Sequence, residues 1–163
     1  MEIRVEPVAA ITTFPLRHDV LRPHETLDQL ALPGDADPDT CHLAARTVTG
    51  EVVGTASVRR EPAPWGPGTT TAAWRLRGMA TREDLRGRRI GTRVLGAVVA
   101  HVASKGGGLL WCNARVPAVP FYERSGFATR GEPWVDPEIG PHVAMWREVV
   151  PSLDRATGES SAR

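Results

Sequence analysis

Lysine is almost missing from this chain: Lys105 is the only one in 163 residues, so 19 of the 20 basic side chains are arginine. The excess of arginine over lysine reads as a compositional bias. Set against 19 acidic residues they leave a formal net charge of +1, which gives no global field toward nucleic acid or an anionic membrane. Any anion site must therefore be local. Cysteine is scarce as well: Cys41 and Cys112 stand far apart and at no metal-ligand spacing, which excludes a disulfide framework and a zinc site and fits a reducing cytoplasm. No long apolar run occurs, and Met1 to Val5 alternates charge with apolar residues instead of opening as an export signal. The expectation is a soluble, cytoplasmic protein with no metal, no nucleic-acid partner and no membrane partner. Tyrosine is represented by Tyr122 alone, so any phenol chemistry rests there.

With 41% apolar residues the chain is long enough for one core, and residues 1–150 read as a single domain followed by a small, polar tail, 151–163, expected to be disordered. Ile3 to Pro7 predicts a first strand, and Pro15 to Leu32 two short helical pieces broken at Pro23. His42 to Thr47 and Glu51 to Arg60 flank Thr49-Gly50, a hairpin signal. The stretch Glu61 to Gly68 is too rich in proline and glycine for regular structure, and Trp74 to Ala80 resumes as a strand. From Ile90 to Ser104 apolar residues recur at helical spacing until Lys105-Gly106-Gly107-Gly108 ends the helix. A short strand over Leu109 to Cys112, a helix over Val116 to Arg124, and strands over Phe127 to Arg130 and His142 to Arg147 complete the order. The loop joining those last two strands is expected to hold Trp134. Strands and helices interleaved in this way predict a mixed α/β sheet.

The chemistry concentrates after Ala80. A polar turn leads into Arg86-Gly87-Arg88-Arg89-Ile90-Gly91-Thr92 and then directly into the clearest helix. Unpaired N–H groups at a helix start point at an anion, and the macrodipole adds roughly half a positive charge. Gly87 and Gly91 permit close backbone approach, and Arg86, Arg88, Arg89 and Arg93 offer charge-assisted donors. The Rossmann glycine fingerprint and the phosphate-loop Gly-Lys-Ser/Thr are both absent, which sets a nucleotide-binding protein behind other phosphate ligands.

The strand–turn–helix from Arg75 to Ala103, followed by a strand and then Ala118-Val119-Pro120-Phe121-Tyr122-Glu123-Arg124-Ser125-Gly126-Phe127, resembles the acetyl-CoA site of the GNAT superfamily of N-acetyltransferases. The resemblance implies a mostly antiparallel central sheet, flanked by helices and splayed between its fourth and fifth strands. It implies that Arg86 to Thr92 cradle the pyrophosphate and that main-chain groups of Met79, Ala80 and Thr81 pair with the acetyl carbonyl and pantetheine arm. It also brings Phe121, Arg124 and either Asn113 or Arg115 to acetyl-CoA. Arg89 stands where the superfamily's loop has its first glycine, and ordinary helical dihedrals are expected for it there.

Tyr122 matches the tyrosine that many relatives place near the thioester sulfur, and the resemblance makes it the general acid for the departing thiolate. The attacking amine must be neutral, and an unperturbed amine with pKa about 10.4 is only about one part in a thousand neutral at pH 7. The superfamily's usual glutamate on the fourth strand is absent from Trp74 to Met79. Glu51, Glu132 and His142 are the candidate bases, His142 foremost, with Glu132 also a candidate for acceptor binding. Arg75 and Arg77 share one face by the strand period of two and can meet an acidic group on the acceptor. The reading is direct transfer from acetyl-CoA to a primary amine of a small molecule or peptide, in a chain compatible with a homodimer. The missing carboxylate and the Arg89 departure keep open a catalytically weak acyl-CoA sensor.

Overall fold

The computed structural model describes residues 1–66 and 72–153. Most of the expected disordered tail, from residue 154 onward, and residues 67 and 68 of the Pro- and Gly-rich loop lie outside them. One sheet contains β1 (Ile3–Val8), β2 (Cys41–Thr47), β3 (Val52–Arg60), β4 (Ala73–Thr81), β5 (Gly108–Arg115), β6 (Ala128–Asp136) and β7 (Gly140–Val149), in the order β1-β2-β3-β4-β5-β7-β6. All neighbours are antiparallel except β4 and β5. A parallel pair needs a crossover, and α2 (Ile90–Ser104) supplies it. The other helices are α1 (Phe14–Leu21) and α3 (Val119–Arg124).

The helical period of α2 decides how it packs. Ile90, Val94, Leu95, Val98 and Val102 are all buried and fall on the side turned to β2, β3 and β4. On burial each contributes about 1.5–3 kcal/mol relative to exposure. On β4, Trp74 meets His101 of α2 edge-on at 5.7 Å, so Trp74 and Leu76 face α2. By alternation Arg75 and Arg77 face the other way. That opposite face is covered by α1, whose Leu21 carbonyl accepts a hydrogen bond from Arg115 of β5 at 2.7 Å. Two differently furnished faces result: an aliphatic one under α2 and an arginine-rich one under α1.

Several expected boundaries shift. Past Pro23 the second helical piece is a 3₁₀ turn, Leu27–Leu30, with Thr26 and Gln29 forming a reciprocal capping box. β5 continues to Arg115 because its full length pairs with β7. β6 runs to Asp136 and takes in Pro133 and Trp134, which the sequence assigns to a loop. As the sheet's edge strand it tolerates proline, and its register jumps between Arg130 and Trp134, leaving Gly131, Glu132 and Pro133 bulged outward. The tail's start is docked: the Ser152 N–H donates to the Ala103 carbonyl at the end of α2, 3.0 Å away.

β4 carries the two irregularities that create a site. It pairs with β5 only over Ala73–Arg75 against Leu109–Trp111, after which the strands part. On its other edge, Thr55 opposes Ala80 while Ser57 opposes Arg77, so Gly78 and Met79 share the single partner Ala56. Gly78 takes φ +61, as such a bulge requires, and its carbonyl accepts a hydrogen bond from the buried Thr55 hydroxyl at 2.9 Å. A Cβ at Gly78 would stand 2.9 Å from Arg17 Nε of α1, so glycine is needed for space as well as for conformation.

Candidate active site

The turn between β4 and α2 presents a helix start without acidic residues in its first turn. Leu85 is buried and anchors the turn, while Arg86, Gly87, Arg88 and Arg89 are exposed around it. Arg86, Arg88 and Arg89 make no ion pair among the described residues, so their guanidiniums are available to an anion, as are the first N–H groups of α2. The expected set narrows at Arg93, which donates to the Ile3 carbonyl at 2.9 Å. Neighbouring Arg82 is likewise occupied, by Asp84 and Glu51. That ion pair also holds Glu51 beside the end of β4.

Arg89 corrects the expectation of helical dihedrals. It caps α2 at φ 63 and ψ 17, the one non-glycine residue with positive φ among the described residues. The position demands what glycine does freely, and a side chain with Cβ is strained there by about 1–2 kcal/mol. Arg89→Gly is therefore expected to raise the unfolding free energy by about 1 kcal/mol in urea titrations. Its effect on cofactor affinity separates two roles: unchanged or tighter binding means the side chain is only tolerated, and a large loss means the guanidinium holds phosphate.

Downstream of that turn three elements converge. A Cβ at Gly91 would lie 3.3 Å from both Thr81 Oγ1 and the Phe121 ring, so the end of β4, the start of α2 and the start of α3 meet around this glycine. The structure thus brings together Thr81, Gly91 and Phe121, with Met79 and Ala80 beside them along β4. Past Arg75 the main-chain groups of β4 that look toward β5 find no strand there. They are free to pair with an extended amide chain, as in strand addition. Arg124 sits exposed in the last turn of α3.

Tyr122 lies on the α2 side of the opening. It is 6% exposed and packs edge-on against Phe121 at 5.1 Å and Phe127 at 5.4 Å. Burial, reinforced by nearby Cys112, pushes its phenol well above the ordinary range, so it stays protonated. Cys112 is the first residue of β5 past the paired segment, and burial pushes its thiol up to about 12. The pair marks the vertex of the splay.

The opposite face of the opening is built differently. Arg75 pairs with Glu61 at 2.9 Å and stacks over Trp111 at 4.9 Å, and Trp111 meets Trp65 edge-on at 5.7 Å. Glu61 also pairs with Arg59 at 3.5 Å. The sequence does not single out Glu61. Its signal is register: the Glu61 N–H donates to the Ala73 carbonyl, which extends the β3–β4 ladder and puts Glu61 on the face of Arg59 and Arg75. His142 lies opposite Arg115 on β7, stacked on Trp134 with 5.8 Å between ring centres and 20° between planes. Its Nδ1 is 2.8 Å from the Gly140 carbonyl. A carbonyl only accepts, so in the neutral ring Nδ1 carries the proton and Nε2 the lone pair. Arg115 is turned to α1 by its bond to Leu21, whereas Asn113 is exposed. Glu132 projects from the β6 bulge and is exposed.

A parted parallel pair beside an arginine-rich helix start fits the acyl-CoA site that the family resemblance implies. The family model described as the acetyltransferase (GNAT) family matches residues 8–127. An uncharacterized N-acetyltransferase of Bacillus subtilis (strain 168), YitI, is 31% identical over 145 residues, which cover 89% of this chain and 95% of that one. Among solved structures, Escherichia coli ElaA shares the fold with a TM-score of 0.73 and 18% identity, over 90% of this chain and 100% of its own. An aminoglycoside 6'-N-acetyltransferase complexed with coenzyme A does so with a TM-score of 0.64 and 17% identity, over 91% and 98% of the two chains. The chain belongs to the acetyltransferase (GNAT) family and is an N-acetyltransferase. Among the described residues no helix is long and apolar enough to cross a membrane.

Proposed function

We propose that the chain moves an acetyl group from acetyl-CoA to a primary amine by direct attack within a ternary complex. The observation that carries this reading is the gap between β4 and β5, which has the arginine-rich start of α2 at one end and leaves main-chain groups of β4 without a β5 partner. The thioester supplies an activated acyl carbon. Arg86, Arg88, Arg89 and the first N–H groups of α2 hold the pyrophosphate, and Asn113, whose side chain is exposed where that of Arg115 is engaged, contacts the pantetheine arm. The Met79 main-chain N–H, displaced from the β3 ladder by the Gly78 bulge while Ala80 stays in register with Thr55, stabilises the oxygen as it gains charge.

The amine nitrogen forms the new C–N bond while the C–S bond breaks and the sulfur leaves with the electron pair. His142 Nε2 takes the proton that the amine must lose. Tyr122 donates a hydrogen bond to the departing sulfur from the α2 face. Because its phenol is held far above a thiol's pKa of about 8.5, Tyr122 stabilises the thiolate without giving its proton up completely, which refines the general-acid role. Buffer completes the conversion to the thiol.

Isothermal titration with acetyl-CoA, together with a continuous assay of free thiol against a panel of amines, tests the reading. Acetyl-CoA is expected to bind in preference to ATP or NAD, and at least one amine is expected to drive sustained thiol release. Failure of acetyl-CoA to bind would remove the reading altogether.

A further inference from the structure

Four guanidiniums cluster on the α1 face around the bulge of β4. Arg17 is buried, and its nitrogens are used by the Thr13 hydroxyl at 3.3 Å and the Leu30 carbonyl at 3.2 Å. Arg59 and Arg75 share Glu61. Arg77, half-buried, makes no hydrogen bond and no ion pair among the described residues. Among the described residues Glu61 is the single carboxylate in contact with the group, and Asp35 and Glu25 are felt more remotely by Arg17. Four positive charges thus face one contacting negative charge and two distant ones. Half-buried guanidiniums are normally paired, since desolvation without a partner is costly. Burial first, and then Arg75, Arg17 and Arg59, lower the Arg77 pKa to about 10 despite Glu61. An anion placed there would offset the mutual repulsion of the guanidiniums and give Arg77 a partner.

The location gives that anion a role. Arg77 immediately precedes the bulged Gly78, two residues before Met79, whose main chain is proposed to receive the thioester carbonyl, and on the face opposite Tyr122. Cofactor phosphates are served by the start of α2, on the far side of Thr81. The face also has indole surface, from Trp65, which packs edge-on over the buried Trp111, and from Trp134, which is 42% exposed.

Building on the proposed function, we propose that Arg77 binds a carboxylate on the acceptor, so that the substrate is a small amino carboxylate of the free amino-acid class with an apolar body. One free guanidinium fork matches one carboxylate, and the indole walls take the remainder. Arg75 and Arg17 add positive field at Arg77, and Glu61 keeps Arg75 drawn back over Trp111. The same charge excludes polycationic amines, in contrast to the acceptors that the names of the aminoglycoside acetyltransferases of similar fold specify.

The test compares matched amines with the full-length protein and saturating acetyl-CoA: free amino acids including L-phenylalanine, their carboxamides, 2-phenylethylamine and kanamycin. The free acids are expected to exceed their amides by about 10- to 100-fold in kcat/KM, the size of a lost charged hydrogen bond. Arg77→Gln should raise the acceptor KM by a similar factor, leave acetyl-CoA affinity unchanged and erase the acid-over-amide preference, with partial retention in Arg77→Lys. In parallel, benzoate and benzamide are titrated into the CoA-loaded protein and into Arg77→Gln. Benzoate should bind more tightly than benzamide to the unmodified protein alone. Preferred turnover of amides, neutral amines or kanamycin, or equal binding of benzoate by both proteins, overturns the proposal while leaving acetyl-CoA binding intact. Loss of acetyl-CoA binding itself would instead indict the proposed function.

Discussion

Tyr122→Phe is expected to lower kcat about 100-fold while acetyl-CoA affinity changes by less than about 2-fold, the separation expected of a group that acts on the leaving sulfur. Phenylalanine preserves the edge-on contacts with Phe121 and Phe127, so the substitution removes little besides the hydroxyl. Stopped-flow measurement of thiol release under single turnover, paired with calorimetric cofactor binding, makes the comparison. The phenol also fixes what the pH profile contains. With its pKa raised, Tyr122 is protonated on both sides of neutrality, and an alkaline loss of rate below pH 10 belongs to another group. Unchanged turnover in the phenylalanine variant would take Tyr122 out of the chemistry.

The second large effect concerns stability. Gly106, Gly107 and Gly108 all have positive φ, at 104, 72 and 130 degrees. The Gly107 N–H closes α2 by reaching the Val102 carbonyl at 2.9 Å. A Cβ at Gly108 would collide with the Ala72 carbonyl, the same oxygen that accepts the Leu109 N–H at 2.8 Å and starts the short β4–β5 pair. Gly108→Ala is therefore expected to cost about 4 kcal/mol, since backbone strain and a backbone collision add and the Ala72 carbonyl cannot retreat without losing its hydrogen bond from Leu109. Gly106→Ala meets nothing within 4 Å and should cost only about 1 kcal/mol from its dihedral. Urea midpoints of the two variants separate strain from collision. Equal midpoints would show that the approach of Gly108 to Ala72 does not matter.

How far the sequence discloses these features depends on whether they are periodic. The bounds of α2 follow from its buried residues at helical spacing, and the hairpin from Thr49-Gly50, because both signals are local. β5 extends beyond its apolar run because β7 pairs with Asn113, Ala114 and Arg115, a contact that no hydrophobic pattern announces. Pro133 and Trp134 disguise β6, since the cost of proline vanishes at an edge that sequence alone does not locate. The phosphate-ready turn is legible from its glycines and arginines, but its backbone is not: spacing cannot tell that Arg89 is left-handed or that Arg93 is committed to Ile3. Glu61 escapes for a third reason, because its meaning comes from a register set twelve residues away. The splay itself is legible only through family resemblance, and no residue pattern along β4 or β5 encodes it beyond the bulge-forming glycine.

The bond from Arg93 to the Ile3 carbonyl joins residues ninety positions apart, and its consequence reaches past the fold. A Cβ at Gly54 would come within 2.9 Å of Ile90 Cγ2, so the first residue of α2 is wedged against β3 while its fourth is bolted to β1. The helix start is thus a fixed post, and adjustment on meeting a ligand is confined to the exposed turn before it. A preorganised floor carries no ordering cost at the moment of binding, and the surplus goes into affinity.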